Sequence, residues 1–136
     1  MAPTTSDSPS PLLINELQKL LLSEILRMAV ETGLRLRPDL TRRQLILDQI
    51  RYQLSQGGTA TGTALLEKTP DAGVLRWTAY DLRPGADDVT VSNQLMRKYS
   101  LQPGVMLTCK VRPPQGREQG LMAEEILFIE GIPASE

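Results

Sequence analysis

The stretch Val105-Met106-Leu107-Thr108-Cys109-Lys110-Val111 alternates: Val105, Leu107, Cys109 and Val111 form one set, with Met106, Thr108 and Lys110 between them. A period of two puts the first set on one side of an extended chain and the second on the other, so this is a strand with one face toward a core and the other toward a rim or solvent. Working outward, Gly62 to Lys68, Gly73 to Tyr80, Asp88 to Ser92 and Leu121 to Glu130 read as further strands, each short and β-branched or alternating. Pro70-Asp71, Pro84-Gly85, Pro103-Gly104 and Pro113-Pro114 break the runs, because proline presets φ and glycine or aspartate accepts turn conformations. Asn93 to Tyr99 reads as a short helical turn. Five such strands predict a small antiparallel barrel of the OB type over residues 62–132.

Before Gly57-Gly58 the period changes. Ile14 to Leu20 is a short apolar stretch, and Leu22, Ile25, Leu26 and Ala29 recur at i, i+3, i+4, i+7, with Ser23 as the expected N-cap and Gly33 just past the end. The segment around Pro38 breaks that pattern, after which Thr41 and Gln44 form a capping-box pair opening a helix through Ile46, Ile50 and Leu54 to Ser55. Residues 1–11 combine Ser, Thr and Pro without periodicity and are expected to be a disordered tail. The expected architecture is α+β: a small three-helix lobe over residues 12–58, packed on a five-stranded antiparallel OB-fold barrel.

Composition narrows the function classes. The chain of 136 residues has 40% hydrophobic and 23% charged residues, ordinary globular usage. Net charge is -1, so no broad basic field attracts phosphate, and any nucleic-acid site must be local. Histidine is absent, which removes the usual general base, zinc ligand and catalytic triads together. The lone Cys109 leaves no internal disulfide or CxxC metal pair, and the cytoplasm is the expected compartment. No run of apolar residues is long enough to span a membrane, and neither a metal nor a cofactor is expected. None of Lys19, Lys68, Lys98 and Lys110 follows a glycine, so there is no Gly-Lys-Ser/Thr phosphate loop and no enzyme is expected.

Several stretches occur in a recognisable order. They are Gly73-Val74-Leu75-Arg76, Gly85-Ala86-Asp87-Asp88-Val89-Thr90-Val91-Ser92, Gln94-Leu95-Met96-Arg97-Lys98-Tyr99, Leu101-Gln102-Pro103-Gly104 and Lys110-Val111-Arg112-Pro113-Pro114. Taken collinearly, they resemble the cold-shock-like RNA-binding domain of the bacterial transcription termination factor Rho. That family's pattern is a Gly-Phe-Gly-Phe-Leu-Arg strand, a Gly-Pro-Asp-Asp-x-Tyr-Val-Ser segment, a Gln-Ile-Arg-Arg-Phe turn and an Arg-Pro-Pro loop. The upstream helices are similar to the lobe that precedes this barrel in Rho, and the resemblance covers residues 12–132.

The resemblance implies single-stranded, pyrimidine-rich RNA held by aromatic rings on one barrel face, since each base offers a π-face. At the ring positions this chain differs. The two phenylalanines of the strand align with Ala72 and Val74, the tyrosine of the second segment with Thr90, and the Glu-Arg-Tyr of the last loop with Glu118, Gln119 and Gly120. The resemblance thus assigns to nucleic-acid contact Val74, Arg76, Asp88, Thr90, Lys110, Arg112, Arg117 and Glu118. Trp77 is expected in the core opposite Arg76, whereas Tyr80 shares the Arg76 face only if the strand runs that far. Cys109 falls on the apolar side of its strand and is expected to be inert. Arg42 and Arg43 sit in a first helical turn, where the macrodipole disfavours cations by a few tenths of a kcal/mol to about 1 kcal/mol. They are secondary candidates for an anion or partner contact, and Tyr80 is a third secondary candidate.

Two functions follow. One is a Rho-like binder of single-stranded RNA, weak or altered in preference, acting in transcription termination or its regulation. The other is an interaction module that kept the fold, lost RNA binding and docks on Rho, RNA polymerase or itself. The near-neutral charge and the missing rings favour the second. No oligomeric state follows from the residues.

Overall fold

The computed structural model describes residues 11–36, 40–118 and 120–134. The expected tail, apart from Pro11, lies outside them, as do Pro38 and Gln119. The chain divides into two units, 1–60 and 61–136.

In the first unit, β1 (Leu12–Leu13) precedes α1 (Ile14–Leu17), α2 (Leu22–Thr32) and α3 (Arg42–Ser55). The α3 capping box forms as expected: the Thr41 hydroxyl accepts from the Gln44 N–H at 3.1 Å, and the Gln44 side chain accepts from the Thr41 N–H at 2.8 Å. Gly33 ends α2 at φ 78, a conformation in which a Cβ is strained, and the following Leu34 N–H bonds back to the Ala29 carbonyl at 2.9 Å. The α2 start differs from the expectation. Leu21, not Ser23, is the N-cap, and the Leu21 N–H is taken by the Glu24 carboxylate at 2.9 Å. A carboxylate three residues on satisfies that donor without a capping hydroxyl, so Ser23 falls inside the helix. The α2 and α3 helices pack on one another, and Ile25, Ala29, Ile46 and Ile50 are each at most 1% exposed.

The second unit is the barrel. Its strands are β2 (Ala60–Lys68), which begins at the unit boundary, β3 (Gly73–Arg76), β4 (Val89–Val91), β5 (Met106–Arg112) and β6 (Leu121–Ile129). They lie in the order β2-β3-β4-β6-β5, and a further β2–β5 pairing closes the ring. A short β7 (Ile132–Pro133) folds back on β6, and α4 (Asn93–Lys98) lies between β4 and β5. The fold is an OB-type barrel accompanied by a helical lobe.

One seam departs from the antiparallel expectation. β4 and β6 run parallel, with Val89 opposite Leu121 and Thr90 opposite Met122. The chain leaves β4 through α4, crosses into β5 and turns back, which brings β6 beside β4 in the same direction.

The alternation read from the sequence holds in β5, where Leu107, Cys109 and Val111 are at most 2% exposed while Met106, Thr108 and Lys110 are half-buried. Burial pushes the Cys109 thiol up to about 12, so at neutral pH it stays protonated and unreactive. Gly73 is required by close approach: a Cβ there would lie 2.8 Å from the Met96 sulfur and 3.0 Å from Leu66 Cδ1. That contact seats α4 against the β2–β3 end of the barrel.

The boundary of the expected strand Gly73 to Tyr80 is corrected. β3 stops at Arg76, and Thr78–Tyr80 form a 3-10 turn. Asp81 and Leu82 follow at φ 55 and 64. The Trp77 indole, 1% exposed, donates to the Asp87 carbonyl at 2.8 Å, which bends the chain inward and ends the strand.

Candidate nucleic-acid interface

Residues opposite one another across a sheet point to the same side, so the register defines the outer face. Glu67 pairs with Val74, Val74 with Thr90, Thr90 with Met122, and Met122 with Arg112. These five residues form one continuous row across β2, β3, β4, β6 and β5. Two of the positions that the resemblance gives to stacking rings, Val74 and Thr90, are therefore direct neighbours within it. Both are half-buried.

Arg76 lies on the same face, two residues along β3. Its Nη1 donates to Glu67 Oε1 at 2.7 Å, and its Nε lies 3.5 Å from Asp88 Oδ2. That Asp88 oxygen also accepts from the Gly85 N–H at 3.1 Å. Two carboxylates on two elements thus hold one guanidinium, whose side chain is 24% exposed.

Arg112 makes a fork with Glu118, Nη1 to Oε1 at 2.8 Å and Nη2 to Oε2 at 2.9 Å. Glu118 Oε1 also accepts from the Gln115 N–H at 2.8 Å, which ties the loop after β5 to its own strand. The hydrogen bond to Arg112, then the one from Gln115, holds the Glu118 carboxyl down at about 2, and the same bond raises Arg112. Lys110 meets Glu124 at 3.6 Å. Arg117 is exposed on that loop.

The sign of the Glu118 shift sets a pH window. A carboxyl held below its ordinary value of 4.5 contributes its pairing fully above that value and loses it as pH falls through about 2. The Glu118 carbon signal in an NMR titration should accordingly stay flat from neutral pH to below 4 and move only near pH 2. In Arg112→Gln it should titrate in the ordinary carboxylate range, and an ordinary titration in the unaltered chain would show that the fork does not form.

The remaining candidates lie elsewhere. Arg42 donates through Nη2 to the Gln18 carbonyl at 2.7 Å and also to the Leu20 carbonyl, so it serves the chain's own backbone after α1. Arg43 is half-buried in the same first turn. Tyr80, in the 3-10 turn, is off the strand that carries Arg76. Glu67, the partner of Arg76, is not among the residues that the resemblance points to. The available signal was an acidic residue near the end of β2, diagonal to Arg76 across the Pro70-Asp71 hairpin.

The outer row of the closed five-stranded barrel thus ends at Arg112, with Glu118 as its partner, and has Arg76 and Asp88 beside it. A sequence profile described as "Rho termination factor, RNA-binding domain" matches residues 60–133. The chain belongs to the Rho termination factor RNA-binding domain family. Within the Rho relatives, the transcription termination factor Rho of Rhodopirellula baltica is 34% identical over 119 residues, 86% of this chain and 23% of its own length. The Rho of Neisseria gonorrhoeae is 30% identical over 107 residues, 78% of this chain and 26% of its length. That of Akkermansia muciniphila is 26% identical over 124 residues, 90% of this chain and 26% of its length. The chain spans about a quarter of the length of these Rho proteins. The profile match is to the RNA-binding domain of Rho, not to its motor. Among the described residues no helix is long and apolar enough to cross a membrane.

Proposed function

We propose that the chain is a non-enzymatic, Rho-type RNA-binding module of transcription termination or its regulation. Residues 12–58 serve as its helical lobe and residues 62–132 as its binding barrel. It binds single-stranded RNA weakly, across the row centred on Val74 and Thr90. The observation that carries this reading is the pairing of Val74 directly with Thr90 on the outer face, beside Arg76 and Asp88. A flat strip with cations at its flanks admits a backbone and its bases, but with an aliphatic and a hydroxyl side chain at its centre it offers no ring for stacking.

The flanking charges are also compensated: Arg76 by Glu67 and Asp88, Lys110 by Glu124, Arg112 by Glu118. RNA phosphate must displace carboxylates to reach them, so the attraction is small, indifferent to base and sensitive to salt. The same compensation favours the second reading, a protein-interaction module docking on Rho, RNA polymerase or itself. Oligocytidine binding that weakens steeply with added salt supports the RNA reading. No binding at low salt, together with a complex formed with Rho or RNA polymerase, supports the other.

A further inference from the structure

Away from the row, at the end of the β2–β3 hairpin, α4 and the chain that follows it enclose a cleft of about 520 Å³. Its walls include Lys68, Asn93, Arg97, Ser100 and Gln102, and no aspartate or glutamate lines it. Among the described residues neither Lys68 nor Arg97 makes an ion pair, which sets them apart from Arg76, Lys110 and Arg112. Both are exposed. Two uncompensated cations facing one concavity, with a hydroxyl and amides between them, are complementary to an anion carrying several acceptor oxygens.

The local backbone is fixed by its own contacts. Ser100 is held at φ 50, in the left-handed region that a non-glycine residue rarely enters, and its N–H bonds to the Arg97 carbonyl at 3.2 Å. The Asn93 amide donates to the Asp71 carbonyl at 2.9 Å, tying the start of α4 to the hairpin turn that follows Lys68. Lys68 is one residue, about 3.3 Å of strand, beyond Glu67, which begins the outer row. The row runs across the strands and Lys68 alternates to the other side of β2 from Glu67, so a strand lying along the row from Arg112 toward Glu67 meets the cleft by turning over the end of β2.

We infer that this cleft is a phosphate-binding subsite, taking a backbone phosphodiester of the RNA strand as it leaves the outer row, with Lys68 and Arg97 as its cations. The inference rests on the RNA-binding reading above. It places the chain's uncompensated electrostatic attraction for RNA at α4, not on the row.

The test is amide-shift mapping of the full chain with two probes: an oligocytidine long enough to cover row and cleft, and cytidine 5′-diphosphate as a free phosphate source. The oligonucleotide should shift Asn93, Ser100 and Gln102 together with Val74 and Thr90. Lys68→Gln with Arg97→Gln should abolish the first set and keep the second. It should also flatten the slope of log affinity against log salt by about 1.4, the single-strand contribution of two phosphate contacts, and each single variant by about half of that. An unchanged slope, or an oligonucleotide that moves only the row, overturns the subsite and leaves the RNA reading standing. Cytidine diphosphate shifting the cleft while the oligonucleotide does not would overturn the strand as the source of the phosphate. Shifts at the cleft without shifts at the row would support the subsite and defeat the row. No shift with either probe overturns the subsite.

Discussion

The double variant Val74→Phe, Thr90→Tyr should bind short oligocytidine between about thirtyfold and ten-thousandfold more tightly than the unaltered chain. Stacking a base on an aromatic ring contributes roughly 1 to 3 kcal/mol, so two rings contribute roughly 2 to 6 kcal/mol if their contributions add. At about 1.4 kcal/mol per factor of ten, that is the stated range. The register makes addition a fair expectation, because Val74 and Thr90 are direct cross-strand partners and two rings there would stand side by side. Both sites are half-buried on the outer face, so the larger side chains extend outward and need not enter the core. The gain should be larger for oligocytidine than for oligoadenosine. A correctly folded double variant with unchanged affinity would remove the row from the RNA path and favour the interaction-module reading.

The second large effect concerns stability. Trp77→Ala should destabilise the barrel by about 3 to 5 kcal/mol from lost packing and the cavity left behind. The change also leaves the Asp87 carbonyl without the indole N–H, at a residue only 3% exposed, which adds to the loss. A domain of this size holds only a few to about ten kcal/mol in all. At about 4 to 8 °C per kcal/mol, the melting temperature should fall by tens of degrees. Trp77→Phe should lose less, since it keeps a ring in the core and gives up mainly the hydrogen bond. Val74→Ala, on the half-buried outer face, should shift melting by no more than a few degrees. Circular dichroism melts of the three variants check this ordering. A Trp77→Ala chain that melts beside the unaltered one would mean that the indole is not the inward anchor of this turn.

Much of the fold is legible in the sequence because its signals are local. The period of two in Val105 to Val111 requires only neighbouring residues, and the Thr41/Gln44 box closes within one helical turn. The features that escape are those set by distant partners. Nothing beside Trp77 says that its indole will reach Asp87, yet that bond ends β3 and takes Tyr80 off the Arg76 face. Nothing beside Val89 says that β6 will return alongside it in parallel. The site divides in the same way. Arg76, Asp88, Lys110, Arg112 and Glu118 are visible as types in a recognisable order, but their compensation by one another and by Glu67 and Glu124 depends on register. The cations Lys68 and Arg97 are far apart in sequence, and although Arg97 lies in the Gln94 to Tyr99 stretch that carries the resemblance, Lys68 lies in none of these stretches, so only the fold brings the two to one cleft.

A weak, backbone-directed affinity for RNA is measured most directly as the binding of oligocytidine and oligoadenosine by the unaltered chain at low and at moderate salt. The predicted result is weak binding at low salt, nearly equal for the two bases, and lost at moderate salt as added salt removes the entropic gain of releasing counterions from the RNA. Tight, cytidine-selective binding that survives moderate salt would contradict it, because such salt-resistant affinity requires stacking rings that the row centred on Val74 and Thr90 does not have, and such selectivity requires contacts to base edges rather than to the backbone.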